Sequence, residues 1–254
     1  LLELLQANPD DHRVRALHAR VLIEGGRTGA DPRNLSRAVS ILRELVITHP
    51  DLYRYQFCET LLSSARGSRR GRPAASSDAR LAVLEEAYEA AELLFAAQPL
   101  YLESRAMLLR AQARYGFELH LSARRVAGDA ATERTNLARQ MLQEAVGIGS
   151  GLVSEDGVAD NRFERYLIEA HSWFGLFCHA QGQVEQAKSE AVAAIEMHER
   201  TVTTMLMRRI EEQKLRNADA SAGSASRRDG ARSDAGTRGT PEITDPDDKR
   251  SRGP

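Results

Sequence analysis

An alanine followed by apolar residues at helical intervals recurs four times along this chain at an almost constant step. Ala38-x3-Leu42-x2-Leu45-x4-Pro50 returns as Ala87-x3-Ala91-x2-Leu94-x4-Pro99, then as Ala138, Leu142 and Ala145, then as Ala187, Ala191 and Ala194. The leading alanines are 49, 51 and 49 residues apart. Unrelated helices have no reason to keep such a step, so the pattern restricts the chain to a stack of similar helical units. An alanine at a fixed place in each unit marks a point where two helices cross closely. The prolines that end the first two copies stop one helix so that the next can begin.

The remaining sequence agrees with an all-α fold. Leu81, Leu84, Tyr88, Ala91 and Phe95 fall three or four residues apart on one helix face, with Asp78 placed to cap the start and Pro99 to close the end. Val14, Leu17, Val21 and Leu22 form a second such face ahead of Gly25-Gly26. No stretch alternates apolar and polar residues long enough to build a sheet. Hydrophobic residues make up 42% of the chain but aromatics only 5%, so the core is to be built from Ala and Leu, which favour helix. Helices are expected at about 1–8, 11–25, 34–48, 52–65, 79–97, 101–125, 132–146, 161–181 and 184–215. Two long connections are expected between them, at 66–78 and 147–160. From 217 to 254 Ser, Gly, Ala, Asp and Arg prevail, and Ile243 is the one large apolar residue. Such a segment cannot offset its ordering entropy by burial, so a helical domain at 1–216 and a disordered tail at 217–254 are expected.

Ahead of each alanine helix stands a first helix with a large residue and its close-packing neighbour: Leu17-His18, Phe57-Cys58, Leu108-Leu109 and Phe174-Gly175. In the last copy Gly182 follows seven residues on and Ala187 five after that. These residues resemble the tetratricopeptide repeat (TPR) family, whose pattern is a large residue, Leu-Gly, a Tyr-like residue, then Ala, an aromatic and Pro. The resemblance covers roughly residues 10–200, as copies at about 10–50, 51–99, 100–150 and 160–200, with a capping helix to 216. It implies a TPR-like solenoid of α–α hairpins with long inter-helix loops. In that arrangement Ala38, Ala87, Ala138, Ala187, Gly175, Gly182, Pro50 and Pro99 set the packing. The turns of the first three hairpins are about 8, 17 and 17 residues longer than the family's spacing.

In that family the first helices line a concave face. Matched copy by copy, the resemblance implies Arg15, Tyr55, Glu59, Arg110, Arg114, Glu169, Ser172 and His179 as groove residues, and a polar peptide or helix of another protein as ligand. No basic cluster matches the family's chaperone-tail clamp. The phrase His49-Pro50-Asp51-Leu52-Tyr53-Arg54-Tyr55 is also similar to junctions in TPR regions of large bacterial signalling proteins. There such arrays follow a kinase or a membrane-anchored sensor, which gives an alternative expectation: the non-catalytic C-terminal region of such a protein. The compartment, cytoplasmic or periplasmic, would follow from whatever precedes Leu1.

Candidate chemistry is sparse. Thirty-five basic residues against 36 acidic ones leave a net charge of −1, with no global field to attract nucleic acid or an anionic membrane. Gly147-Ile148-Gly149-Ser150-Gly151 superficially suggests a phosphate loop, yet a helix rather than a strand leads in and no lysine follows; a linker is expected. His171 and Cys178 share a helix face while His179 points about 100° away, and no pair has metal-ligand spacing, so neither metal nor cofactor is expected. Cys58 and Cys178 read as two buried thiols. The cluster Arg66, Arg69, Arg70 and Arg72 lacks interleaved aromatics and reads as a solvated loop. Ser154, Glu155, Asp156 and Asp160 do not alternate as calcium ligands must. Without a paired nucleophile and base, an interaction module is expected rather than an enzyme. Val192, Ile195, Val202, Leu206 and Ile210 equip the helix at 184–215 either to cap the array or to dimerise as a coiled coil.

Overall fold

The computed structural model describes residues 2–28, 31, 33–65, 76–155 and 161–233. Within them the chain is all helix: α1 (Leu2–Ala7), α2 (His12–Thr28), α3 (Asn34–Thr48), α4 (Pro50–Ser64), α5 (Ser77–Ala97), α6 (Leu102–Ala123), α7 (Asp129–Glu155), α8 (Asn161–Ala180) and α9 (Val184–Ser233). No strand occurs among the described residues. The chain divides into two compact units, Leu1–Thr201 and Val202–Pro254.

In the first unit each helix from α1 to α8 packs on the next in sequence. Direct second-neighbour contacts link α4 with α6 and α6 with α8. Helix α6 is therefore enclosed on several sides by α4, α5, α7 and α8. One core cluster runs from Ala19 on α2 to Cys178 on α8. A smaller one, including Ala106, Leu109, Ala145, Leu152 and Phe163, fills the space where α6, α7 and α8 meet.

The repeating alanines sit at the crossings. Ala38, Ala87 and Ala138 are fully buried, and Ala187 is partly buried against the core. Each faces a small residue of the preceding helix in the cases where the approach is resolved. Cys58 Sγ donates to the Ala87 carbonyl at 3.3 Å. A Cβ on Gly116 would lie 3.3 Å from the Ala138 carbonyl oxygen and 2.9 Å from Met141 Cβ, and one on Gly175 3.4 Å from the Ala187 carbonyl oxygen. The close-packing residue of α6 is thus Gly116, behind Tyr115, and not Leu109 as the expected Leu108-Leu109 pair had it. Leu109 instead fills the smaller cluster. In the first hairpin Leu17 is exposed, and Ala19 rather than His18 is the fully buried residue that shares a cluster with Ala38.

Helix ends follow local chemistry. Pro50 occupies the first turn of α4, where its missing N–H would have no intrahelical partner. Ser76, rather than Asp78, caps α5 by accepting from Ala79 N at 3.2 Å, and Asp78 lies in the first turn. Gly182, at φ +74°, closes α8: Gln183 N reaches back to the Cys178 carbonyl at 2.9 Å. Pro99 lies in the turn between α5 and α6.

Two segments differ from expectation. The glycine run 147–151, expected in a linker, is helical and belongs to α7. A Cβ on Gly149 would stand 2.6 Å from Leu167 Cδ1 and 3.3 Å from Leu109 Cδ2, so the glycine lets α7 approach α6 and α8. Close packing there offsets the roughly 1 kcal/mol that glycine costs a helix. Helix α9 continues to Ser233, past the boundary expected at 216. Once nucleated, a helix adds one hydrogen bond per residue without needing an apolar face. Residues 234–254 of the expected tail, the arginine cluster at 66–72 and the acidic segment 156–160 lie outside the described residues.

Candidate interaction groove

Helix α6 carries an unusual stripe for so buried an element. Glu103, Met107, Arg110, Arg114 and Phe117 follow one another at steps of four, three, four and three, which places them on one face. Arg110 and Arg114 are only 7% and 9% exposed. That face borders two separate cavities, each also lined by α4 and α8. At one end Tyr55, Arg110 and Tyr166 surround a cavity of about 40 Å³. At the other, Ala65, Phe117 and Trp173 belong to a larger cavity of about 350 Å³. The same order along all three helices means that α4, α6 and α8 run in one direction. A third cavity, of about 300 Å³, opens beside Tyr55 and Glu59 toward Arg20, Glu24 and Arg27 of α2.

The two buried arginines are held differently. Arg114 donates to the Leu62 carbonyl at 3.1 Å and pairs with Glu169 at 3.5 Å. Arg110 instead lies over the Tyr166 ring, 5.1 Å from its centroid, and its buried Nε has no hydrogen-bond partner among the described residues. No carboxylate among the described residues is paired with it. Burial pushes the Tyr55 phenol above its ordinary pKa, the nearby Glu59 and Tyr166 add to the rise, and Arg110 opposes it. At the larger cavity Phe117 and Trp173 stack with centroids 5.5 Å apart. Arg80 closes its rim through a 2.9 Å pair with Glu118, which also accepts from Ser77 Oγ at 3.2 Å.

Of the eight residues expected to line a groove, Tyr55, Glu59, Arg110, Arg114 and Glu169 border these cavities. Three do not. Arg15 turns to Glu44 of α3 in an ion pair, the Ser172 hydroxyl donates to the Ile168 carbonyl of its own helix at 2.7 Å, and His179 is exposed near the end of α8. Sequence reading missed Phe117, Tyr166 and Trp173. The three-and-four spacing from Glu103 to Phe117 was the available signal, masked because it mixes charges with apolar residues.

Reactive chemistry finds little support in the surroundings. Burial pushes the Cys58 thiol up to about 12, with Arg110 opposing, and raises that of Cys178 as well. A thiol so shifted stays protonated and unreactive near neutral pH. His171 Nδ1 lies 2.6 Å from Glu190, not toward Cys178 or His179. Among the described residues no group of three His, Cys, Asp or Glu could hold a metal ion, and no helix is long and apolar enough to cross a membrane. No protein-family model matches the sequence, and no curated protein matches it either.

Proposed function

We propose that this chain is an interaction module, a TPR-like stack of helical hairpins that holds a segment of another protein in the channel between α4, α6 and α8. The observation that carries this reading is the channel floor. Evolution of a purely structural helix would fill so enclosed a face with aliphatic side chains, because burying a charge is costly unless it is put to use. Here α6 presents two mostly buried arginines to the cavities instead. The repeat-like geometry supports it further: Cys58 against Ala87, Gly116 against Ala138 and Gly175 against Ala187 place a small residue at equivalent crossings. In this reading the hairpins are the scaffold and the module forms part of a larger bacterial signalling protein.

The test is selection of peptides from a random display library on the immobilised chain, repeated on Tyr55→Ala and Arg110→Glu. Loss of the selected sequences on both variants, with melting temperatures retained, is expected. Peptides that bind both variants as well as the parent would place recognition elsewhere.

A second reading has its own observation. In the second unit Val202, Leu206 and Ile210 are all exposed on α9 at steps of four, a pattern suited to self-association through a short coiled coil. Light scattering of the chain and of a Leu206→Lys, Ile210→Lys variant decides it: a dimer that the variant abolishes supports self-association, and a monomer in both ends it.

A further inference from the structure

Resting on the channel reading, we infer that the bound segment is extended and carries an acidic side chain and a large apolar one three residues apart, the acid meeting Arg110 and the apolar side chain entering the cavity at Trp173. Two independent features of the channel lead there. The first is the state of Arg110. Arg110 is only 7% exposed, lines a small cavity, and has a buried Nε without a partner and no carboxylate of the described residues paired with it. A planar carboxylate reaching this cavity is the group whose geometry best completes the fork of donors of such an arginine. Tyr55 and Tyr166 flank the position, one offering a phenol and the other already under the cation. Glu103 also lines this cavity, seven residues before Arg110 on the same helix and so about 10 Å along it from the guanidinium's position.

The second feature is the neighbouring cavity. At about 350 Å³ it is several times larger, and Leu62, Leu84, Phe117 and Trp173 give it an apolar lining. Unlike Arg110, both of its arginines have a carboxylate partner, Arg80 in Glu118 and Arg114 in Glu169, although Arg80 Nε itself is also buried without a hydrogen-bond partner. A site with neutralised rims and an aromatic wall favours a large apolar anchor over a further charge. From Arg110 to Phe117 is seven residues of one helix, an advance of about 10 Å. A segment in the polyproline II conformation rises about 3.1 Å per residue with three residues per turn, so side chains three apart share one face about 9 Å apart. A β-strand would turn them to opposite faces. The cavity at Arg110, about 40 Å³, admits one polar group rather than the turn of a helix. Acid and anchor therefore stand three residues apart on an extended ligand.

Trp173 is the single tryptophan of the chain and lines the larger cavity, so its emission reports occupancy directly. The probe is a pair of synthetic peptide pools, acetylated and amidated to remove terminal charges, with a fixed Glu (or, in the second pool, Gln) and a fixed Phe three residues apart in either order and small residues elsewhere. The Glu pool is expected to change Trp173 emission saturably and to bind at least tenfold tighter than the Gln pool. In Arg110→Met that difference is expected to vanish; comparing the two pools on the parent chain gives the same information without altering the protein. Equal binding of the two pools to the parent would overturn the inference while leaving the channel reading intact. So would binding restricted to pools with a free C-terminal carboxylate, or a preference for Glu that Arg110→Met leaves unchanged. If neither these pools nor an unrestricted random pool perturbs Trp173, the channel reading falls with it.

Discussion

Helices α6 and α9 are both long, and neither separates its polar and apolar residues into two clean faces, yet they end in opposite environments. Most of α6 from Ser104 to Ala123 is buried, charges included. In the second unit α9 exposes nearly every residue from Val202 to Arg216, apolar ones included. A mixed helix is thus no guide to its own burial. What decides is the number of neighbours the topology supplies: α6 touches α4, α5, α7 and α8. Its buried arginines and the exposed leucines of α9 are two forms of the same departure from simple patterning, and both are places to look for partners.

The sharpest way to break this contrast is one substitution made in both helices. Leu109→Ala empties a fully buried position and is expected to cost about 2–5 kcal/mol. Leu206→Ala, at a position 54% exposed, is expected to change stability by less than about 0.5 kcal/mol. Urea unfolding of the two variants measures both; similar losses would refute the contrast.

Next in size come the glycines. Gly116→Ala would press a Cβ against Met141 Cβ at 2.9 Å, where neither helix can yield cheaply, and a loss of about 1–3 kcal/mol is expected. Gly147→Ala meets nothing within 4 Å and should gain up to about 1 kcal/mol from helix propensity alone. Opposite signs in thermal melts would confirm that α6, α7 and α8 are held by close approach at chosen points rather than by general compactness.

A smaller effect concerns acid. Burial, with Arg124 adding to it, lowers the pKa of His120 below its ordinary value. The unfolded imidazole then takes up its proton first as pH falls, so folding loses stability from about pH 6.5 downward until the lower folded pKa is passed, and is unaffected well above about pH 6.5. Melting temperatures between pH 7.5 and 5 should fall less steeply for His120→Leu than for the parent chain. Identical slopes would show that the ring is not held neutral in the fold.

The smallest effect expected is none. A stop after Arg216 removes a stretch whose composition offers almost nothing to bury, and the melting transition of the first unit should stay where it is. A drop of several degrees would mean that residues beyond 216 contribute to its packing.

Much of the helix layout was legible in the sequence because it rests on short-range rules. Proline at the start of α4, glycine with positive φ after α8 and the alanines of α3, α5 and α7 each act within a turn or at one crossing. What escaped depends on several helices at once. The glycines 147–151 look like a linker until Leu109 and Leu167 are seen to close on Gly149. Val192 and Ile195 look like the contact face of α9. The residues that are buried there are Ala194, Met197 and Thr201, with Thr201 Oγ1 donating to Glu164 at 2.5 Å. Part of the groove was visible as Tyr55 and the charged residues on first helices. The other aromatics were not, because Phe117, Tyr166 and Trp173 read as ordinary core until α4, α6 and α8 are set side by side.

Amide hydrogen exchange of the chain with and without a library-selected peptide tests the channel most directly. Added protection is expected on α4, α6 and α8 around Tyr55, Arg110 and Trp173, with α3, α5 and α7 unchanged. Protection confined to α3, α5 and α7, or to α9, would show that the partner docks on another surface and that the buried arginines of α6 serve some other purpose.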